Sequence, residues 1–426
     1  MHHVNGVTRN SKVTCVWTGW ALVAGTVAGY SALAAVAPPP LIPDDGDTFD
    51  LFVADQEQYD SNLYRLSSDF GSVATLVSPN ASRSDLINTA SVGGDGQLLA
   101  GRQVFDLNLR VDENRFVHND DLNNTSGYGN LIWNWQLGGH LSGEVQADYN
   151  HALASFGETR DFGRDLTNSE HYFGKARYQI GPHWAVYGGA SDLDVSHSLS
   201  IAKFNDFHLK EGDAGVEFST EVDNSFGFQY RYADGSFPST NLFTLNGISF
   251  TPNFHEDSER FIVKYALTDK TQIDANVGYY RREFTETGLG AFKGAFWRVT
   301  VNWQPTDKTQ LLFAGWHELH AYLVNESDYF VSKGASISPV WNATEKFKVD
   351  LLLSYEDQDY VPQSFSVVTQ GPLNAKVSTE QVDIVYSPRS SWIFSGSFKH
   401  QLRSANQAYY QFDDQLATVG VLYKIH

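Results

Sequence analysis

The sequence predicts an all-β fold, a transmembrane antiparallel up-and-down β-barrel of about 18 strands, of the type found in bacterial outer membranes. Over residues 84–426, stretches of about ten residues or more alternate apolar with polar side chains, and the breaks between them are alternately tight and long. Phe, Tyr and Trp make up 14% of the chain, which suits aromatic girdles at two membrane interfaces. Beyond the N-terminus no apolar run is long enough for a membrane helix, so only strands could cross a bilayer.

The alternation gives each predicted strand two different faces. In residues 141–150, for example, Val145 would face lipid and Glu144 would face the lumen. Residues 105–112 and 295–304 follow the same rule. A soluble sandwich could not bury so polar a second face, because its inner faces pack against each other. The pattern therefore favours a barrel with a lipid-covered exterior and a wet interior.

The N-terminal residues predict a targeting segment followed by a linker. Residues 1–34 combine a basic start, an apolar stretch and a small-residue exit, which predicts a signal peptide cleaved after Ala34; a retained membrane anchor is the alternative. The single cysteine, Cys15, lies within this segment, so the mature chain would have no thiol chemistry. Residues 35–47 predict a flexible periplasmic lead-in, and residues 48–426 the barrel.

The chain is strongly acidic. It has 30 basic and 50 acidic residues, a formal net charge of −20. Removal of the signal would take away two basic residues and no acidic ones, and would make the balance still more negative. This charge argues against nucleic acid as a partner.

Periodicity and turn residues together predict eighteen strands. They lie near 48–60, 84–97, 103–115, 127–138, 140–153, 168–180, 183–196, 206–219, 225–237, 255–266, 271–285, 292–304, 309–322, 327–340, 347–360, 376–387, 392–404 and 412–425. Short connections are expected in the periplasm and long ones outside, and 323–326 is the one exception to the alternation. Thr-Asp-Lys-Thr-Gln occurs at 268–272 and at 306–310, which predicts a repeated turn.

Two strands depart from the simple pattern. In 327–340, Lys333 would share the lipid face with Val331 and Ile337, which predicts a bulge or a shifted register. The strand at 412–425 resembles the C-terminal signal recognised by the barrel-assembly machinery, although the chain ends Ile-His where an aromatic residue is usual.

A barrel of about 18 strands encloses an aqueous channel that side chains need not fill. Inward acids and bases nearly balance, and the excess negative charge is assigned to the lead-in and loops, Glu256 and Asp257 included. Successive strands predict a basic stripe on one wall, made of Arg231, Arg260, Lys264, Arg282 and Arg298. Early strands predict an acidic wall facing it, made of Asp106, Asp112, Glu144 and Asp148. These walls suit hydrated solutes or a sliding sugar chain; alternatively, the charges only solvate a wet pore.

The connections at 156–168, 237–253 and 361–376 are longer than strand pairing requires. The second of them predicts a plug that folds inward and narrows the pore, because its apolar residues need cover that water cannot supply. Those residues are Phe243, Leu245, Ile248 and Phe250.

Candidate chemistry is sparse. His317-Glu318-Leu319-His320 lacks the metalloprotease spacing, and on a strand its two histidines would point to opposite faces. Ser196-His197-Ser198 has no placed acid partner and is interpreted as loop polarity. The sequence therefore predicts no catalytic residue, no metal site and no cofactor.

One motif carries a resemblance to a known family. Asp-Ser-Asn-Leu-Tyr-Arg-Leu at 60–66 follows the first strand, and Arg83-Ser84-Asp85 leads into the next strands. In these residues, and weakly over the mature chain, the sequence resembles the EpsL-type outer-membrane barrels of exopolysaccharide operons. The resemblance implies passage of a polysaccharide chain, with periplasmic polysaccharide-export and chain-length proteins as partners. It brings no catalytic residues.

The leading hypothesis is a monomeric, non-catalytic barrel in the bacterial outer membrane that exports an exopolysaccharide, in contact with outer-membrane lipid and lipopolysaccharide. The alternative within the same architecture is a general diffusion porin for small hydrophilic solutes. Two further rivals are a scaffold that holds an electron-transfer protein in its lumen and an outer-membrane enzyme. No haem-binding motif supports the first, and no catalytic constellation supports the second.

Overall fold

The computed structural model describes residues 48–69, 81–157, 162–221, 224–239, 243–245, 248–250, 253–285, 291–324, 327–362 and 372–425. The predicted signal, 1–34, and lead-in, 35–47, lie outside these residues. No helix in the described part of the chain is long and apolar enough to cross a bilayer.

The strands are named in chain order. They are β1 (Thr48–Asp60), β2 (Asp85–Ala100), β3 (Gln103–Phe116), β4 (Asn124–Leu137), β5 (Leu141–Leu153), β6 (Leu166–Ile180), β7 (Trp184–His197), β8 (Phe207–Ser219), β9 (Ser225–Ser236), β10 (Phe243–Leu245), β11 (Ile248–Phe250), β12 (Phe254–Thr268), β13 (Thr271–Phe284), β14 (Phe292–Thr306), β15 (Thr309–Val324), β16 (Ser327–Thr344), β17 (Phe347–Pro362), β18 (Asn374–Arg389), β19 (Trp392–Ala405) and β20 (Phe412–Ile425). Short 3-10 helices span Asp120–Leu122, Ser200–Asn205 and Ala408–Tyr410.

Eighteen of these strands form one closed antiparallel barrel. Each strand pairs with its neighbours along the chain, β9 pairs with β12 across the small β10–β11 hairpin, and β20 returns to pair with β1. At this closing seam Leu51 lies opposite Ile425, and Asp60 lies opposite Leu416. A closed sheet leaves no unpaired edge in lipid. The predicted fold class is confirmed, and each of the eighteen predicted strands overlaps one strand of the barrel.

The alternation separates the side chains as predicted. On β3, Leu109 and Val111 are each 52% exposed, whereas Asp112 is 7% exposed. On β14, Trp297 is exposed and the adjacent Arg298 pairs with a carboxylate on the other face. Exposed apolar side chains recur on strand after strand, and this is the face that lipid covers in such barrels. The molecule is therefore an outer-membrane barrel.

The short turns lie at one end of the barrel, the periplasmic end by the usual arrangement. In three of them a Thr hydroxyl oxygen accepts a hydrogen bond from the backbone N–H of the Lys two residues later, at 268–270, 306–308 and 344–346, with distances of 3.2, 3.3 and 3.2 Å. Three others contain a glycine with positive φ, which a residue with a Cβ rarely adopts. The repeated turn is confirmed, and its Thr-x-Lys part occurs a third time, at 344–346, with Glu345 in place of Asp.

The exceptional connection at 323–326 is short because its strands are long. β15 contains 16 residues and β16 contains 18, and the pairing register shifts on both sides of the connection. The irregularity predicted for this strand is therefore at its first residues. Lys333 does lie on the outer face, where its Nζ is 3.2 Å from the Asp359 carboxylate.

Candidate functional site

The lumen wall is the candidate site, and strand register decides which side chains share it. Glu256 of β12 lies opposite Arg282 of β13, and Asn276 of β13 lies opposite Arg298 of β14. On β9, Arg231 lies opposite Ser258. Because paired residues point to the same face, the predicted basic stripe extends over adjacent strands from β9 to β14 on the inner surface.

The structure pairs most of the arginines of the basic stripe with carboxylates. Arg231 forms ion pairs with Glu211 and with Glu256, the latter at 2.8 Å. Arg282 donates to the other Glu256 oxygen from Nε at 3.0 Å and from Nη2 at 2.6 Å. All four side chains are at least nine-tenths buried. One carboxylate thus neutralises parts of two arginines, as buried charges require.

Arg298 is paired in the same way. Its Nε and Nη2 donate to the two carboxylate oxygens of Glu318 at 2.9 and 2.5 Å, and its guanidinium lies 5.2 Å from the centre of the Trp316 ring. The Arg282 guanidinium lies 3.9 Å above the Phe254 ring. The basic stripe is therefore a network of arginines, acids and aromatic rings.

Sequence reasoning missed the acids of this network. It assigned Glu256 to the loop charge, which is wrong, because Glu256 lies within β12 and is 8% exposed. Its even position, shared with Arg260 and Lys264, is the signal that places it inward. The same rule, that every second residue of a strand faces inward, would also have found Glu211. It lies six residues before the inward Glu217 on β8.

The acids predicted for the opposite wall have local partners. Asp106 accepts a hydrogen bond from Gln97 at 2.7 Å, and Asp112 pairs with Arg110 at 2.5 Å. Asp148 accepts from the Asn130 and Gln146 amides at 2.5 and 2.8 Å. Glu144 lies opposite Lys175 of β6. The acids of this wall are thus hydrogen-bonded or ion-paired to neighbouring side chains of the same wall. They do not form a surface of unpaired negative charge.

The segment after β1 folds back into the extracellular end of the barrel. Arg65 is held by Asp60 at 3.0 Å and by Asp414 of β20 at 3.1 Å, and it adopts a φ of 55°, a backbone conformation that is rare for a residue with a Cβ. The Asn62 amide donates to the Leu66 and Asp413 carbonyl oxygens. These contacts tie residues 60–66 to both strands of the closing seam.

Three side chains of this segment form an apolar cluster. Leu63, Tyr64 and Leu66 are 1%, 0% and 1% exposed. They pack with Ile87 and Phe116, which oppose each other on β2 and β3, and with three further residues, Leu122, Leu153 and Phe156. We call residues 61–69 the inner segment. It covers apolar surface at the mouth that water would otherwise contact.

A second contact crosses the mouth. Arg403 of β19 donates from Nη1 to the Gly157 carbonyl oxygen at 3.3 Å and from Nη2 to the Tyr360 hydroxyl at 2.7 Å. Gly157 follows β5, so this bond joins widely separated parts of the wall. The site of a Cβ on Gly157 lies 3.7 Å from Arg65 Cγ, which places the inner segment beside this bridge. Together they narrow the extracellular opening.

The plug prediction at 237–253 is only partly within the described residues. The backbone of the β10–β11 hairpin is described, but the side chains of Phe243, Leu245, Ile248 and Phe250 are not. Beside the hairpin, Phe237 packs on Phe207 with ring centres 4.8 Å apart. Among the described residues, the narrowing comes from the inner segment together with the Arg403–Gly157 bridge.

Histidine chemistry is limited in the described part of the chain. His320 is buried and stacks on Phe330 with ring centres 4.9 Å apart, while His317 lies opposite Lys333 on the outer face. The ring of His197 lies beside Asp206 at 3.2 Å, where it fixes the end of β7. No group of three metal-ligating side chains that could hold an ion occurs among the described residues.

Comparisons with known proteins found no matching family model and no matching curated protein. The resemblance to exopolysaccharide-operon barrels therefore has no support from them.

Solved structures similar to this chain include three Pseudomonas aeruginosa outer-membrane proteins. OccK2 (OpdF), in complex with glucuronate, has 8% identity and a TM-score of 0.46, with 90% of this chain and 100% of that chain covered. OpdK has 9% identity and a TM-score of 0.45, covering 89% and 99%. OccD3 (OpdP) has 10% identity and a TM-score of 0.47, covering 93% and 98%. Likenesses with such low identity and TM-score do not support a function for this chain. Its own strand pairing shows a closed 18-stranded β-barrel of the outer-membrane type.

Proposed function

We propose that the barrel is a passive diffusion channel for small hydrophilic solutes. The observation that carries this proposal is the extracellular mouth, which the inner segment and the Arg403–Gly157 bridge narrow while the wall below remains polar. An 18-stranded barrel is wide enough for an aqueous lumen. A narrowed opening above a hydrated lumen suits single small solutes, up to the size of a monosaccharide, more than a chain of linked sugars.

The paired charges of the wall support the same function. Arg231 and Arg282 share Glu256, and Arg298 is matched by Glu318, so the wall has little excess charge to trap a polyion. Hydrogen-bonded networks of this kind exchange partners with water and with solute hydroxyls, which favours passage over tight binding. Export of a polysaccharide, the leading expectation from sequence, has no comparable feature in its favour.

A gene deletion separates the two functions. The proposal predicts that a strain without this protein keeps its normal surface polysaccharide and takes up small hydrophilic nutrients more slowly. Complementation with the wild-type gene is the control, and it should restore uptake. Loss of surface polysaccharide with unchanged nutrient uptake would contradict the proposal and favour export.

A further inference from the structure

One aromatic ring faces the lumen without cover. Tyr128 of β4 lies opposite Arg110 of β3 and Asn150 of β5. It shares the inward phase of Asn130, whose amide donates to Asp148 on the inner wall. Tyr128 is 44% exposed. Every other exposed Phe, Tyr or Trp among the described side chains lies at an outward position, so this ring is an exception to the pattern of the barrel.

Other aromatic residues of the inner face are used by the wall itself. Tyr187, Trp316 and Tyr360 are 6%, 9% and 3% exposed. Trp316 Nε1 donates to the Ser332 hydroxyl at 2.8 Å, and the Tyr360 hydroxyl accepts from Arg403. The Tyr128 hydroxyl, in contrast, forms no hydrogen bond with another of the described residues. Both its ring face and its hydroxyl are therefore open to a solute in the lumen.

Polar groups suited to hydroxyls lie beside this ring. Asn150 is half-buried, and its amide makes no hydrogen bond within the described part of the chain. Asp148, the next inward residue of β5, accepts from Asn130 at 2.5 Å and from Gln146 at 2.8 Å. His171 Nδ1 lies 3.2 Å from the same carboxylate, of which 23% remains exposed. A free amide and a firmly held carboxylate together can accept from and donate to sugar hydroxyls.

The cation opposite the ring is already paired. Arg110 donates from Nε to Asp112 at 2.5 Å and from Nη2 to the Ser91 hydroxyl at 3.2 Å. An anionic solute beside the ring would be repelled by the Asp112 and Asp148 carboxylates, whereas a neutral solute would not. The charges around the ring thus favour a neutral ligand.

The ring lies below the narrowed mouth. β3 runs from the short-turn end of the barrel to the mouth, where Phe116 packs in the apolar cluster of the inner segment. Arg110, level with Tyr128, lies six residues before Phe116 on the same face, about 20 Å along the strand. A solute that has passed the mouth would meet the open ring next.

We propose that Tyr128, Asn150 and Asp148 form a binding subsite for a neutral cyclic sugar of monosaccharide size. The C–H groups on one face of a pyranose ring are apolar and pack on the Tyr128 ring. The hydroxyls at the rim of the sugar exchange hydrogen bonds with the Asn150 amide and the Asp148 carboxylate. The inference rests on the proposed channel function and names a class of solute for it.

The test is block of the single-channel current by D-glucose, with the purified barrel in a planar bilayer in potassium chloride. Glucose should block the wild-type channel in a saturable, concentration-dependent way. In Tyr128→Ala the apparent Kd should rise by about threefold to tenfold, the range for losing an aromatic contact. Tyr128→Phe keeps the ring and should retain most of the affinity. Asn150→Ala should weaken block by a few-fold because it removes a hydrogen-bonding group.

Tyr149→Ala is the matched control. Tyr149 is the residue next to Asn150, is also 44% exposed, and lies on the outer face of β5, so its loss should leave glucose block unchanged. Equal weakening in Tyr128→Ala and Tyr149→Ala, or undiminished block in Tyr128→Ala, would overturn the subsite.

Two further solutes test the chemical class of the ligand. D-Sorbitol carries similar hydroxyls on an open chain without a ring face, and it should block the wild-type channel several-fold less tightly than glucose. Equal affinities for the two would overturn the contact with the Tyr128 ring. D-Glucuronate has the same ring with a carboxylate, and tighter block by it than by glucose would overturn the assignment to neutral sugars.

Failure of the channel would give a different result from failure of the subsite. If the wild-type barrel conducted no current, the proposed function would fail, and saturation-transfer NMR of D-glucose with the folded barrel would still test the subsite. A conducting barrel that glucose does not block would overturn the subsite and leave the channel function standing. Heat-modifiable migration on gels confirms in each case that the variant has folded.

Discussion

Single side chains decide which surface of the wall meets lipid and which meets water. Leu109 and Asn108 are neighbours on β3, yet Leu109 is half exposed on the outer face and Asn108 lies on the inner one with Asn130 opposite. Both lie near the middle of the strand. Their equal depth makes them a direct test of the register.

Leu109→Arg should lower the free energy of unfolding by about 2 to 4 kcal/mol, because a guanidinium would face the hydrocarbon midplane. Asn108→Arg, the control at the same depth, should be nearly neutral because it faces the wet lumen. Denaturant unfolding of barrels folded in lipid vesicles measures both. Equal losses at the two positions would contradict the assigned faces.

Arg65 is the central residue of the inner segment. Arg65→Met would leave the Asp60 and Asp414 carboxylates buried side by side, and should cost about 3 to 5 kcal/mol of unfolding free energy. Arg115→Met removes an exposed arginine paired with Glu113 and should cost less than about 1 kcal/mol. Similar costs for the two variants, in the same denaturant titration, would mean that Arg65 does not hold the seam.

Tyr64 makes the inner segment sensitive to alkaline pH. Burial, with help from Asp121 and Asp85, raises the pKa of its phenol, and the hydroxyl donates to Asn119 Oδ1 at 3.0 Å. The stability that follows from this raised pKa is present below the unfolded value of about 10 and is lost as pH rises above it. Unfolding titrations from pH 8 to 11 should show a steeper loss for wild type than for Tyr64→Phe. Parallel curves would count against this assignment.

At the scale of elements, alternation was enough to find every strand of the barrel. β1 and β20 have the predicted bounds, 48–60 and 412–425, because each begins and ends at a clear change of pattern. In the sequence, the residues of the inner segment stood out only as a motif. Nothing in that motif predicted that they narrow the extracellular opening. Its partner Asp414 lies at the other end of the chain, and no local pattern reports a contact across the closing seam.

The same limit applies to the basic stripe. The alternation of inward and outward residues placed the five members of the basic stripe on one face. This alternation does not tell which acids on neighbouring strands lie within ion-pair distance of them. Glu318 was considered only as part of a possible metal motif, and the structure instead pairs it with Arg298. The charge balance of the wall is therefore a property of the register, which depends on turn lengths far along the chain.

The inner segment should control the conductance of the barrel. In the double variant Leu63→Ala/Leu66→Ala the apolar cluster would lose two of its four buried leucine side chains, both from the inner segment, and the segment should leave the wall more often. Single-channel conductance should then rise or fluctuate between levels. Ile201→Ala, at a residue that is 63% exposed near the same end, is the control and should behave as wild type. Unchanged conductance in the double variant would exclude the segment as a constriction.

At the scale of the whole molecule, closure and narrowing together define the proposed function. The sheet satisfies its own edges in lipid, so the barrel needs no packed centre and can enclose water. Ion pairs line this interior, while the inner segment and the Arg403–Gly157 bridge reduce its extracellular opening. A polar lumen behind a narrowed mouth should select solutes by size.

Liposome swelling tests this claim most directly. Vesicles that contain the purified barrel would be diluted into isosmotic solutions of sugars of increasing size, with protein-free vesicles as the control. The proposed channel function predicts rapid swelling in monosaccharides and a steep fall through disaccharides to longer oligosaccharides. Swelling no faster than in protein-free vesicles for every sugar, or equal rates for monosaccharides and long oligosaccharides, would contradict it.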